Sequence, residues 1–122
     1  MRIIFLVLLI LLFPVVGFTE TPATDVSAYE KQFYEGNALL EKGDFDGAIA
    51  AYSRALSIYP KGYDALANRG NAFLQKGDYA AAIKDLTTAI EIKPHENIYM
   101  ARGDAYFAAG QYDPAAADYT KV

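Results

Sequence analysis

Gly70–Pro94 reads GNAFLQKGDYAAAIKDLTTAIEIKP, and its punctuation decides the fold. Gly77-Asp78 separates two apolar stretches, and Pro94 closes the second. The first stretch carries Leu66, Gly70, Ala72, Phe73 and Leu74; the second carries Tyr79, Ala82, Ile83, Leu86, Ala89, Ile90 and Ile92. Recurrence at three, four and seven residues is the signature of a helix with one apolar stripe. Glycine past the last periodic residue supplies the positive φ that ends a helix, and an aspartate after it caps the next one. Proline cannot continue a helix interior, because it lacks the amide hydrogen and clashes with the preceding turn. The segment therefore predicts an antiparallel helical hairpin.

The same hairpin is written three times. Gly36, Gly70 and Gly103 are each followed seven residues later by Gly43, Gly77 and Gly110, and five residues after those come Ala48, Ala82 and Ala115. The period is 34 residues, then 33. Units of this length bury their apolar faces against their neighbours. The expected repeats are about 29–62, 63–95 and 96–122, the last incomplete, within a domain over 28–122. Ser27 with Glu30 forms a capping box, which starts the first helix there and runs it to about Lys42. Residues 20–27, with Pro22, are then a linker. Gln111 stands where the other repeats have aspartate, and Pro114 falls in a first turn, where a missing donor costs little. Gly36, Gly70 and Gly103 lie inside helices, at about 1 kcal/mol each relative to alanine. Close approach of the paired helix is the compensation expected, with Ala48, Ala82 and Ala115 as the complementary small surface.

Residues 1–19 have a different character. Arg2 is a short positive region, Ile3–Phe13 is an uninterrupted apolar run, and Pro14 and Gly17 end it. That is the layout of a secretory signal peptide, and the run is shorter than the roughly 20 residues that span a bilayer comfortably. The expected location is secreted or periplasmic after cleavage; the alternative is a short membrane anchor holding the repeats outside the cytoplasm. Membrane attachment is expected only if this segment is not cleaved.

The repeats resemble the tetratricopeptide repeat family, in its bacterial-type form. The family's small-residue and aromatic places hold Gly36, Leu39, Ala48, Tyr52, Ala55 and Pro60 in the first repeat, and Gly70, Phe73, Ala82, Leu86, Ala89 and Pro94 in the second. The third has Gly103, Tyr106, Ala115, Tyr119 and Val122, and Gln32 is the one plain departure at a core place. The resemblance covers about residues 28–122 and implies an all-α fold, a right-handed superhelical stack of three antiparallel helical hairpins, or α-solenoid. It also implies ion pairs across the second and third hairpins, Arg69 with Asp85 and Arg102 with Asp118; Glu35 and Ala51 leave the first repeat without one.

Reaction chemistry finds little to use. His95 is the sole histidine, beside Pro94 in a turn, and there is no cysteine. The groups Asp44/Asp46 and Asp104/Asp113/Asp118 are explained by capping and solvated faces and lack calcium-loop spacing. Gly-Asn-Ala and Gly-Asp-Ala occur within helices, without a phosphate-binding context. No enzyme activity, metal or cofactor is expected. The net charge of −4, which becomes −5 once Arg2 is taken out, disfavours nucleic acid as a partner.

In the family the concave face comes from the first helix of each hairpin. Carried onto this chain, it gives a row of Asn37, Asn71 and Asp104, whose side chains suit the backbone of an extended peptide, flanked by Phe33, Leu40, Leu74, Met100 and Phe107. Tyr52, Tyr79, Tyr106, Tyr112 and Tyr119 fall at core places instead. Members that grip a C-terminal carboxylate use three cations; Asn37 and Asn68 match that clamp, but Phe33, Asn97 and Ala101 replace the cations. The expected function is an exported adaptor or assembly factor that binds a peptide or protein on this face. The alternative is a self-associating structural protein, a homo-oligomer built through an apolar side of the third hairpin, because the sequence stops at Val122 within the last helix. A further reading is an accessory part of a larger system.

Overall fold

The computed structural model describes residues 22–122, so the leader and its expected end at residue 19 lie outside the described residues. Six helices follow one another: α1 Pro22–Glu41, α2 Phe45–Ile58, α3 Tyr63–Lys76, α4 Tyr79–Ile92, α5 Glu96–Ala108 and α6 Tyr112–Tyr119. They pair as α1/α2, α3/α4 and α5/α6, and α2 packs on α3 as α4 packs on α5. The first helices of successive hairpins also touch, α1 to α3 and α3 to α5, whereas the second helices do not touch one another. The stack therefore curves, with α1, α3 and α5 on the inner side. This is the superhelical arrangement of paired helices expected from the repeat.

Punctuation acts as the sequence predicts. Gly43, Gly77 and Gly110 take φ of +78°, +88° and +78°. At the first of these, the Gly43 amide donates to Leu40 and the Asp44 amide to Leu39, which satisfies carbonyls at the end of α1. Asp44 then caps α2 by accepting from the Gly47 amide at 2.9 Å, and Asp78 caps α4 from Ala81 at 3.2 Å. Gln111 gives α6 no side-chain cap. Tyr59 and Lys93, each before a proline, are extended, so α2 and α4 stop there. His95 caps α5, its Nδ1 accepting from the Asn97 amide.

The start of α1 is a correction. The helix begins at Pro22, not at Ser27, so no linker separates residues 22–27 from the repeats. Proline is tolerated in the first turn of a helix, where the amide hydrogen has no partner to lose, and no further proline stands between Pro22 and Gly43. Ser27 lies inside the helix and cannot cap it.

The core is built mostly from alanine. Ala48, Ala51, Ala55, Ala65, Ala72, Ala82, Ala89 and Ala105 are all completely buried. Tyr52 and Leu86 are the largest side chains fully buried among them, and burying one leucine contributes about 2 kcal/mol. These two side chains, with Tyr119 in the third hairpin, also explain the glycines inside helices. A Cβ on Gly36 would lie 2.5 Å from the Tyr52 ring, one on Gly70 would lie 2.8 Å from Leu86 Cγ, and one on Gly103 would lie 2.7 Å from the Tyr119 ring. The close approach expected at these glycines is present, but the group that fills the space is a ring or a leucine, one turn beyond the alanine first assigned to it. The nearest Ala82 atom to a Cβ on Gly70 is its carbonyl oxygen, at 3.4 Å.

Gly70→Val should accordingly lower the urea midpoint by an amount equivalent to about 2 kcal/mol, through overpacking against Leu86. Gly77→Ala, which meets no atom within 4 Å but sits at positive φ, should cost about 1 kcal/mol from backbone strain alone. A Gly70→Val midpoint equal to that of the unsubstituted protein would contradict the contact.

Candidate functional site

Side chains that bridge the hairpins fix the shape of the inner face. Arg69 donates from Nε to Asp85 Oδ2 at 2.7 Å and from Nη2 to Asp85 Oδ1 at 2.8 Å, and its Nη1 reaches Ser53 on the preceding hairpin at 3.1 Å. Arg102 repeats this on Asp118, at 2.8 and 2.7 Å, with Nη1 on Thr87 at 3.2 Å. Both ion pairs expected from the resemblance are present and bidentate. The Ser53 and Thr87 contacts are additional: each arginine closes its own hairpin and ties it to the one before. Asp85 and Asp118 are buried, and the bond to Asp118 raises the Arg102 guanidinium pKa. In the first hairpin Arg54 approaches Glu35 only to 3.7 Å, with both side chains about half exposed.

The polar row has a mixed fate. The Tyr52 hydroxyl donates to Asn37 Oδ1 at 2.7 Å, and Asn68 Nδ2 donates to the same oxygen at 2.9 Å. Asn37 is thus a structural link between α1 and α3 more than a free contact. Asp104 accepts from the Tyr119 hydroxyl at 2.6 Å. The geometry has one origin: a tyrosine ring lies on the helix glycine, and its hydroxyl reaches the residue after that glycine. In the middle hairpin Leu86 takes the ring's place, so Asn71 has no such donor.

The apolar candidates divide as well. Phe33, Leu40 and Leu74 are half-buried and pack against the core. Met100 and Phe107 are exposed, at 45% and 57%, and Phe107 meets Tyr112 edge-on at 5.3 Å. Among the tyrosines assigned to the core, Tyr52 is fully buried, but Tyr112 and Tyr119 are exposed. Both belong to the third hairpin, where only α5 and α6 surround them.

One feature escaped the sequence. An open cleft of about 600 Å³ is walled by Val26, Tyr29, Phe33, Tyr34, Ile58 and Tyr59. Tyr29 stacks on Phe33 with ring centroids 6.1 Å apart and meets Tyr59 edge-on at 6.0 Å, and its hydroxyl donates to Asp64 at the start of α3. Burial, with help from Asp64, raises the Tyr29 pKa. Val26 continues the helical spacing of Tyr29 and Phe33 upstream of the repeat; a cap at Ser27 excludes it from the helix. No group of three or more metal-ligating side chains, and no helix long and apolar enough to cross a membrane, occurs among the described residues.

Truncating the buried pairs should be costly. Arg69→Ala or Arg102→Ala leaves a buried carboxylate and should destabilise by about 3 kcal/mol in urea, against under about 0.5 kcal/mol for Arg54→Ala. Equal effects at the three sites would contradict the assignment. Burial pushes the Tyr52 hydroxyl up to about 12 from 10.0. Its pKa is higher folded than unfolded, so its contribution is complete below pH 10 and should disappear as the pH rises through about 12. Tyr52→Phe should flatten that alkaline loss in a pH series of melts.

Comparison with known proteins agrees with this geometry. The tetratricopeptide repeat pattern matches residues 34–97 and again residues 96–122. No match was found among curated protein sequences. The Arabidopsis OM64 TPR domain is similar at 28% identity over 80% of this chain and 81% of that one, with a TM-score of 0.77. The Sgt2 TPR domain from Aspergillus fumigatus is 30% identical over 83% of this chain and 64% of its own, with a TM-score of 0.74. The second TPR domain of human RPAP3, solved in complex with the HSP70 peptide SGPTIEEVD, is 25% identical over 83% and 82% of the two chains, with a TM-score of 0.73. With its helix ends, its small-residue contacts and its paired-helix stack all following one repeat, the chain belongs to the tetratricopeptide repeat family.

Proposed function

We propose that this protein is an exported adaptor or assembly factor that holds a peptide or protein segment against the inner face formed by α1, α3 and α5. The observation that carries the reading is the curvature: first helices touch one another and second helices do not, so first-helix side chains converge on one groove. Asn71 offers a donor and an acceptor there, and Met100 and Phe107 offer exposed apolar surface. A structurally similar domain, the second of human RPAP3, is in complex with a peptide, which supports the same use of the groove here. The chain acts as a scaffold and not as an enzyme, in keeping with its family.

The acidic tail of that peptide is not carried over. Phe33, Asn97 and Ala101 stand where a carboxylate clamp has cations, and a desolvated carboxylate without them is poorly stabilised. Export is supported by Arg2 and the apolar run Ile3–Phe13. Sequencing the N-terminus of the mature protein from fractionated cells tests it: a start near residue 20 in an extracytoplasmic fraction is expected, and an intact Met1 in the cytoplasm overturns it.

Partner capture tests the groove. After crosslinking in expressing cells, the combined change Asn71→Ala, Met100→Ser and Phe107→Ser should reduce partner recovery by about tenfold or more while leaving the melting curve nearly unchanged. Undiminished recovery would exclude the inner face.

A further inference from the structure

Near the start of the stack, the inner face runs into the aromatic cleft, with which it shares Glu30, Phe33 and Asp64. The cleft's rim is formed by Asp25, Glu30 and Asp64, and no lysine or arginine lines it. The carboxylates extend along the groove: Glu41 and Asp104 also stand on first helices, and none of Asp25, Glu30, Glu41, Asp64 or Asp104 is ion-paired among the described residues. Lys61 and Lys93 line an adjoining depression, where Lys93 Nζ sits 4.8 Å from the centroid of the Tyr63 ring, and Lys31 follows Glu30 on α1 without lining the cleft.

Val26, Tyr34 and Tyr59 are each more than half exposed, so the walls present apolar and aromatic area that this chain does not cover among its described residues. Tyrosine faces attract cations through the ring quadrupole, and carboxylates at the rim attract the same charge. Both features select one ligand chemistry. We propose that the cleft is the specificity site of the groove and takes a partner segment in which an apolar or aromatic side chain is flanked by lysine or arginine. This rests on the peptide-binding reading above and gives the groove a sign opposite to that required for an acidic C-terminal tail. The apolar side chain enters between Tyr29, Tyr34 and Tyr59; the flanking cation meets Asp25 or Glu30 and the tyrosine faces. Asp64, already accepting from Tyr29, completes the rim on the α3 side.

Synthetic peptides provide the test, with the full-length protein titrated against matched sequences in which a central Leu or Phe is flanked by Lys/Arg, by Glu, or by Ser. The basic set should bind about tenfold tighter than the acidic set at low salt, with the difference shrinking as salt rises. Tyr34→Ser should weaken the basic set about tenfold, and Asp25→Lys with Glu30→Lys should invert the order of the two charged sets. All are exposed positions, and a matching melting curve for each variant confirms that it folds. Preference for the acidic set, or basic-set binding indifferent to these changes, overturns the proposal. If partner capture in cells still depends on Asn71, Met100 and Phe107, the inner-face reading stands and only the cleft assignment fails; if it does not, both fail. Preferential binding of a peptide of residues 2–18, or a dimer that Tyr34→Ser converts to monomer, would assign the cleft to the leader or to a second copy and would equally overturn it.

Discussion

Everything in this structure depends on how closely the two helices of a hairpin approach. A glycine at the middle of each first helix leaves room for one large side chain from the second: Tyr52 over Gly36, Leu86 over Gly70, Tyr119 over Gly103. The glycine costs about 1 kcal/mol of helix propensity, and the leucine that fills its space gains about 2 kcal/mol on burial. Contact therefore wins over propensity at the middle hairpin, where both magnitudes apply. Because the contact is tight, the register of each hairpin is fixed to within a side chain. The arginine bridges of the second and third hairpins then repeat at matching places.

That register also determines which polar groups remain available. A tyrosine lying on the glycine places its hydroxyl on the next residue, which occupies Asn37 and Asp104 from within the chain. A leucine there has no hydroxyl, and Asn71 receives no such bond. One substitution in the packing thus changes a surface property. The apolar candidates separate by the same logic: those close to the hairpin seam, Phe33, Leu40 and Leu74, serve the core, and those farther along the third hairpin, Met100 and Phe107, remain exposed.

The ends of the helices within the hairpins were legible in the sequence because each rests on a local rule: positive φ at glycine, a side-chain cap at aspartate, a proline stop; the bidentate ion pairs were legible through the family resemblance, which matches an arginine and an aspartate in consecutive helices. The start of α1 was not, because Ser27 and Glu30 satisfy a capping pattern that a longer helix simply absorbs. The partner of each helix glycine was attributed to alanine, since spacing along one helix does not reveal which side chain of the other crosses it. Nor could spacing show that Asn37 and Asp104 are already bonded, or that Tyr59, apparently only the residue before a proline, closes an aromatic cleft with Val26, Tyr29 and Tyr34. Such features combine residues from three helices and the turns between them, and they exist only once the hairpins are stacked.

The central claim is that a partner lies on the inner side of the curve. Site-specific photocrosslinking in living cells measures this most directly, with a photoreactive residue placed singly at Asn71, Met100 and Phe107 on first helices and at Ala50, Lys84 and Ala117 on second helices. Adducts of one discrete mass from the first set, with none from the second, are the predicted result. Adducts confined to the second set would contradict it.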